Sequence, residues 1–358
     1  MLNPDPLVIV IGAGANNEVD LPIGRELTKS IAESLDFKID RFNRIEGGDD
    51  QIRNCINKLA QQQNTSNGSI NDYYKTALKI RDAMPLAPSI DNFIDSHRKD
   101  KRIAQIGKLA IAACILKAEN KSKLYIDRTK NTKNKQDYSK LNGTWFVELF
   151  SLLSQHCDRD QLKERLSRIT IVSFNYDRCF KHFLIDALLT YYNLTTQEVN
   201  DIVSNINVLH PYGSVGRMFF EKGGMGPKFG ELIDSDELLR SADEIRTFTE
   251  SVEGESDETN AIRESLASTK TLVYLGFAFH PLNLEVLYGK ALLPKLNNEC
   301  EVFATAHGIS DSNCSMIAHQ LKLKGGYYEN RIKLHQNLKA GSLISEYSLR
   351  LARSVHSD

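Results

Sequence analysis

In this 358-residue chain, four apolar runs end in short polar or glycine motifs whose residue types could do chemistry together. Gly12-Ala13-Gly14 follows the apolar run Leu7-Val8-Ile9-Val10-Ile11. Asn175-Tyr176-Asp177 follows Ile169-Thr170-Ile171-Val172-Ser173-Phe174. His210-Pro211-Tyr212-Gly213 follows Ile206-Asn207-Val208-Leu209, and Gly276-Phe277 follows Thr271-Leu272-Val273-Tyr274-Leu275. A strand that feeds a glycine turn and a helix can cradle a phosphate. Backbone N–H groups and the positive helix end face the anion, and glycine lets it approach the main chain. An imidazole with an ordinary pKa near 6.5 can accept a proton at neutral pH.

Each motif also has a plainer explanation. A lone Asn at a strand end can form a turn, and a His before Pro is commonly a loop residue. Asp177 can cap a helix over residues 179–191. The glycine turn can be tight without holding anything. The dehydrogenase fingerprint G-x-G-x-x-G is broken at Asn17, and residues 36–42 lack the apolar strand that would follow it. No Gly-Lys-Ser/Thr follows the turn, so a Walker A loop is excluded. What lifts the four motifs above these readings is their joint placement after apolar runs. In an open parallel sheet, ligands bind at the carboxyl ends of the strands.

The elements that must position them alternate strand with helix. Residues 24–35 carry Leu27, Ile31, Ala32 and Leu35 on one helical face. Later strands are expected at 169–174, 206–209, 271–275, 301–305 and 331–334, with helices over 179–191 and 283–293. This pattern predicts a doubly wound, mostly parallel Rossmann-like α/β sheet. Residues 41–165 read as a mostly helical insertion between a nucleotide-binding domain's two parts, 1–40 and 166–358. Within it, 103–118 and 145–157 have helical period, Ser89 is an N-cap candidate, and 47–68 is polar and ends in a loop signature at Asn64-Thr65-Ser66-Asn67-Gly68-Ser69. The basic stretch 117–140 reads as a solvated linker rather than a nucleic-acid surface. Residues 216–268 are glycine-rich and then acidic, and Glu250 to Glu258 reads as a solvated loop.

Charges nearly cancel, at 45 basic against 46 acidic residues, which argues against a nucleic-acid coat. Cysteines 55, 114, 157, 179, 300 and 314 show no C-x-x-C spacing, so no structural zinc set is visible. No signal pattern and no apolar run of membrane-spanning length is present, and a soluble cytoplasmic protein is expected.

The sequence resembles the sirtuin family. More narrowly, it is similar to the sirtuin-like NAD-consuming domains of bacterial antiphage defence systems. Gly12-Ala13-Gly14 with Asn16, Pro22 and Arg25 resembles the sirtuin cofactor loop, G-A-G-x-S followed by P-D-F-R; Asn16, Ile23 and Gly24 depart from its Ser, Asp and Phe. Phe174-Asn175-Tyr176-Asp177 resembles Q-N-I-D. His210 resembles the histidine of the H-G motif, with Pro211 and Tyr212 before Gly213. Gly276-Phe277-Ala278 resembles the G-T-S strand end, and Ser89-Ile90-Asp91-Asn92-Phe93 a helical motif of the defence branch.

The resemblance implies catalytic roles for Asn175 and His210. It implies cofactor contacts for Gly12, Ala13, Gly14, Asn16, Pro22, Arg25, Asp91, Asp177, Gly276, Phe277 and Thr305. NAD is then a substrate, and no metal is required. The two C-x-x-C pairs of the family's deacylases are missing, so the implied reaction is cleavage of the nicotinamide–ribose bond to nicotinamide and ADP-ribose. A homo-oligomer, paired with a HerA-type ATPase, is implied by the same likeness. The alternatives are an NAD or ADP-ribose sensor, and a protein ADP-ribosyltransferase or deacylase. What covers the nicotinamide in place of the aromatic lost at Gly24 is left open.

Overall fold

The computed structural model describes residues 6–42, 44–62, 68–128, 134–218, 226–252, 257–289 and 299–356. Eight strands are described: β1 (Leu7–Ile11), β2 (Phe37–Ile39), β3 (Ile45–Gly47), β4 (Ile169–Ser173), β5 (Asn207–Leu209), β6 (Thr271–Leu275), β7 (Glu301–Thr305) and β8 (Ile332–His335). All six expected sheet strands form, and they pair in parallel in the order β5-β4-β1-β6-β7-β8. Counted along the sheet's own strands this is 3-2-1-4-5-6, the order of the dinucleotide-binding Rossmann fold. β1 is central and buried along its whole length. Leu7 to Ile11 pair in register with Ile169 to Ser173 on one side and Thr271 to Leu275 on the other. Chain direction across the sheet reverses between β1 and β6, so the Gly12 and Gly276 turns meet at the switch point.

Side-chain alternation divides the core in two. Val8, Val10, Val172, Leu272, Tyr274 and Val302 join one cluster; Leu7, Ile9, Ile11, Ile171, Val273 and Leu275 join the other. The first cluster takes in helices Gly24–Ser34, Asp50–Gln62, Gly68–Ala83 and Lys101–Lys121. Helices Trp145–Ser154, Leu162–Ser167 and Cys179–Tyr191 cover the opposite face. Helices between residues 50 and 167 are thus divided between the two faces.

Several local expectations need correction. The polar stretch after Gly47 holds the helix Asp50–Gln62, because Ile52, Cys55, Ile56 and Leu59 share one buried side. Residues 36–42, expected to lack a strand, contribute β2 to an antiparallel hairpin with β3, outside the main sheet. Its Phe37 is buried edge-on against Tyr74, with centroids 5.2 Å apart. The acidic region forms helices Ser235–Asp243, Phe248–Val252 and Asp257–Ser268. Glu250 and Glu258, expected in a solvated loop, are both paired: Glu250 with Lys108, and Glu258 with Arg246. The basic stretch is no free linker either: Lys101–Lys121 is one helix, Leu124 is buried, and Lys117 pairs with Asp49. The helix expected over 283–293 runs from Pro281 to Tyr288 and is stopped by Gly289 (φ 78); positions 63–67, Lys130 and Lys133, residues 253–256 and residues 290–293 lie outside the described residues. Ser89 caps its helix as expected, accepting the Asn92 N–H at 3.1 Å.

One buried ion pair ties the helical layer to the sheet. Glu119, in the last turn of Lys101–Lys121, is fully buried and meets Arg178 just past β4. Glu119 Oε1 accepts the Arg178 main-chain N–H at 2.9 Å and Nε–H at 3.1 Å, and Oε2 accepts from the guanidinium end. Arg178 also donates to the Pro227 carbonyl. Removing one partner strands a buried charge, at a typical cost of about 3–5 kcal/mol. Glu119→Ala should therefore lower the urea-unfolding free energy by about that amount, while the double change Glu119→Leu with Arg178→Met should lower it by less.

Candidate functional site

The glycine turn is closed by the neighbouring strand's turn. Gly12 N–H donates to the Leu275 carbonyl at 2.9 Å, and Gly14 N–H to the Gly276 carbonyl at 3.1 Å. A Cβ on Gly12 would stand 2.5 Å from the Gly276 oxygen. Gly276 has φ +56, and its Cβ would lie 1.9 Å from the Ala15 nitrogen. These glycines let two turns touch main chain to main chain. This corrects the expectation of N–H groups aimed at an anion, at least for Gly12 and Gly14. The helix expected over residues 24–35 forms as Gly24–Ser34, but it does not start at the glycine turn itself. Only the four-residue helix Ala13–Asn16 follows directly, then a 3-10 turn, a left-handed Asp20 (φ 68), and helix Gly24–Ser34. Thr305 braces the same point: its hydroxyl accepts the Gly276 N–H at 2.7 Å.

The turn after β4 sends its side chains in different directions. Asn175 is buried and donates its amide to the Gly12 carbonyl at 3.2 Å. Phe174 and Tyr176 lie in the aromatic cluster with Tyr212 and Phe277; the Phe174–Phe277 centroids are 5.1 Å apart. Tyr176 donates to the Asp91 carboxylate, which burial holds above the usual carboxylate range. Asp177 is clasped by Asn16, whose Nδ2 donates to both carboxylate oxygens at 2.8 and 2.9 Å. Asp177 also accepts the Cys179 N–H at 3.0 Å, as a helix-capping residue does. Burial raises the Asp177 pKa, against the lowering effect of the Asn16 hydrogen bonds. The Asn16 oxygen is held in turn by the Trp145 indole N–H at 3.2 Å, and Trp145 stacks on Phe180.

His210 meets this turn from β5. Its Nδ1 is 3.2 Å from the Asn175 carbonyl oxygen. A carbonyl only accepts, so the neutral ring that makes this bond carries its proton on Nδ1 and its basic lone pair on Nε2. The His210 main-chain N–H donates to Glu258 Oε1 at 2.7 Å.

The structure therefore gathers Gly12, Gly14, Asn16, Asn175, Asp177, His210, Gly276 and Thr305 along one carboxyl edge. Ala13 opens the short helix after the turn, and Pro22 is half-buried. Asp91 meets this turn by accepting from Tyr176, on the aromatic side. Arg25 is exposed in the first turn of Gly24–Ser34, and among the described residues no hydrogen bond or ion pair holds its guanidinium. A cavity of about 10 Å3 lies between Ile11, Asn16, Ser173, Asp177, Phe180 and His210. That is room for about one water. A larger cavity, about 120 Å3, lies elsewhere, beside Arg217, Pro227, Arg240 and Glu244. Among the described residues no group of three or more His, Cys, Asp or Glu could hold a metal ion, and no helix is long and apolar enough to cross a membrane.

Trp145, Glu119 and Glu258 were not singled out by the sequence reading. Their partners are distant in the chain, and only Trp145, the sole tryptophan, offered any signal. No protein-family model matches the chain, and no curated protein matches it. Among solved structures, the crystal structure of a Sir2 homolog–NAD complex aligns over 98% of this chain and 90% of that one. The identity is 13% and the TM-score 0.39, too loose a likeness to carry an argument.

Beside the site, His182 stacks on Phe229 with centroids 4.0 Å apart and hydrogen-bonds the Leu124 carbonyl at 3.1 Å. Burial pushes its pKa down from 6.5 to about 4. Between those values the unfolded chain takes up the proton and the native chain does not. This contribution is complete above about pH 6.5 and is lost on acidification toward pH 4, by at most roughly 3 kcal/mol. The raised carboxyls of Asp91 and Asp177 act in the opposite sense, because their protonated forms are favoured in the native state. Urea midpoints of wild type and His182→Gln should therefore differ in favour of wild type most at pH 7.5, and the difference should shrink by pH 4.5.

Proposed function

We propose that this protein is an NAD⁺ glycohydrolase that cleaves the nicotinamide–ribose bond. One observation carries the reading: His210, Asn175 and Gly12 are linked in series, imidazole to carbonyl and amide to carbonyl, at the carboxyl edge of a sheet with dinucleotide-binding strand order. The sequence likeness to sirtuin-like NAD-consuming domains supports the substrate.

In this reading the C1′–N bond breaks and its electron pair leaves with nicotinamide, which departs neutral. Positive charge develops on the ribose, and water attacks C1′. Nε2 of His210 takes the proton from that water and passes it to solvent, giving ADP-ribose. The Asn175 amide orients the ribose hydroxyls or the water once it exchanges Gly12 for substrate. Asp177 and Asn16 border the same hollow. That hollow holds about one water, so the site must open before NAD⁺ can enter. A toxic NAD-depleting effector of antiphage defence needs such a closed resting state. Opening is assigned here to homo-oligomer assembly with a HerA-type ATPase.

A sensor that binds NAD or ADP-ribose without turnover is the second reading, favoured by the Asn175 amide already being engaged by Gly12. Nicotinamide release from NAD⁺, measured with and without the partner ATPase, separates the two. The hydrolase reading expects release that falls more than about 10²-fold in His210→Ala and in Asn175→Ala. Release unchanged in His210→Ala, or calorimetric binding with no release under either condition, would overturn it.

A further inference from the structure

We propose that Glu258 is a positioning residue for His210, with Arg246 holding Glu258 in place. The inference rests on the assignment of His210 as the base of NAD⁺ hydrolysis, and it adds a residue that neither the sequence likeness nor the strand-end motifs point to.

The loop that carries His210 receives little support from the sheet. β5 ends at Leu209 and is the edge strand. Besides the His210 bond to Asn175, residues 210–213 are held by the chain between residues 244 and 259. Glu258 Oε1 accepts the His210 N–H at 2.7 Å. Its other oxygen accepts from Arg246 Nη1 at 2.6 Å, so one carboxylate bridges two segments. Arg246 returns to the same loop through its main chain, donating its N–H to the Tyr212 carbonyl at 2.9 Å. Ser251 donates its buried hydroxyl to the Pro211 carbonyl at 2.8 Å, and Thr259 donates to the Ser251 carbonyl at 3.1 Å. Gly213, at φ +70, lets the loop pass so close that a Cβ there would stand 2.0 Å from the Glu244 oxygen.

Of the bonds from residues 244–259, the one from Glu258 reaches the His210 main chain, and it does so with a charged acceptor. Charge-assisted hydrogen bonds are shorter and about twice as strong as neutral ones. Fixing the His210 nitrogen fixes the Cα–Cβ direction, and hence the line from Nδ1 to the Asn175 carbonyl. Loss of that line misdirects Nε2. Misplacement by about 1 Å can cost a reaction up to 10²-fold. The Glu258 and Arg246 side chains are partly exposed, so their pair steadies the carboxylate rather than anchoring the fold.

The test compares Glu258→Ala, Glu258→Gln and Arg246→Met in the full chain, with the partner ATPase if hydrolysis requires it. Glu258→Gln keeps an oxygen that can accept the His210 N–H. Glu258→Ala should lower kcat for nicotinamide release about ten- to a hundredfold, with KM changed less than about threefold. Glu258→Gln should recover most of that loss, and Arg246→Met should fall between the two. A second readout needs no turnover. The His210 imidazole NMR signals, assigned by their absence in His210→Ala, should shift and broaden in Glu258→Ala and return in Glu258→Gln. If wild type releases no nicotinamide, the hydrolase assignment fails, and these signals alone decide whether Glu258 fixes the ring. The proposal is overturned if Glu258→Ala leaves kcat and the His210 signals unchanged. It is equally overturned if Glu258→Gln is as impaired as Glu258→Ala while unfolding at the wild-type temperature.

Discussion

The Glu119–Arg178 pair is the constraint on which the rest of the site depends. It lies one residue past Asp177, where β4 turns into the helix Cys179–Tyr191. A carboxylate and a guanidinium out of water are tolerated only when their hydrogen-bonding capacity is nearly filled. Here the Arg178 main chain, its Nε–H and its guanidinium end all reach Glu119, and carbonyls from residues 227 and 228 take further donors. That requirement fixes the last turn of Lys101–Lys121 against the β4 turn. A helical layer that could have packed in several ways is thereby registered on the residues that flank Asn175.

A second constraint is steric. The Gly12 and Gly276 turns occupy each other's space so fully that neither position has room for a Cβ. In many Rossmann folds the glycines of this turn admit a phosphate. Here the same absence of side chains admits a neighbouring turn, with Thr305 completing the joint. Glycine at a strand end therefore reports close approach of something, and the sequence alone does not say of what.

The sheet was legible because parallel strands buried on both faces must be continuous apolar runs. Leu7–Ile11, Ile169–Ser173 and Thr271–Leu275 could be read almost to the residue. Helices such as Asp50–Gln62 and Ser235–Asp243 were not, because their apolar stripe is narrow and their polar faces dominate composition. Of the site, the strand-end residues were visible as motifs. Their partners were not: Asn16 with Asp177, Glu119 with Arg178 and Glu258 with His210 are each joined across 48 to 161 residues of chain. No periodicity records such pairings. The acidic run around Glu258 misled for the same reason, since a carboxylate that binds a part-buried main-chain N–H looks in sequence like any solvated one.

The clasp around Asp177 ends on the indole of Trp145. Because the chain has no other tryptophan, its tryptophan fluorescence arises from a ring fully shielded from water and hydrogen-bonded to the residue that grips Asp177. The emission wavelength is thus an unlabelled optical gauge of whether this edge of the sheet is shut or has come apart.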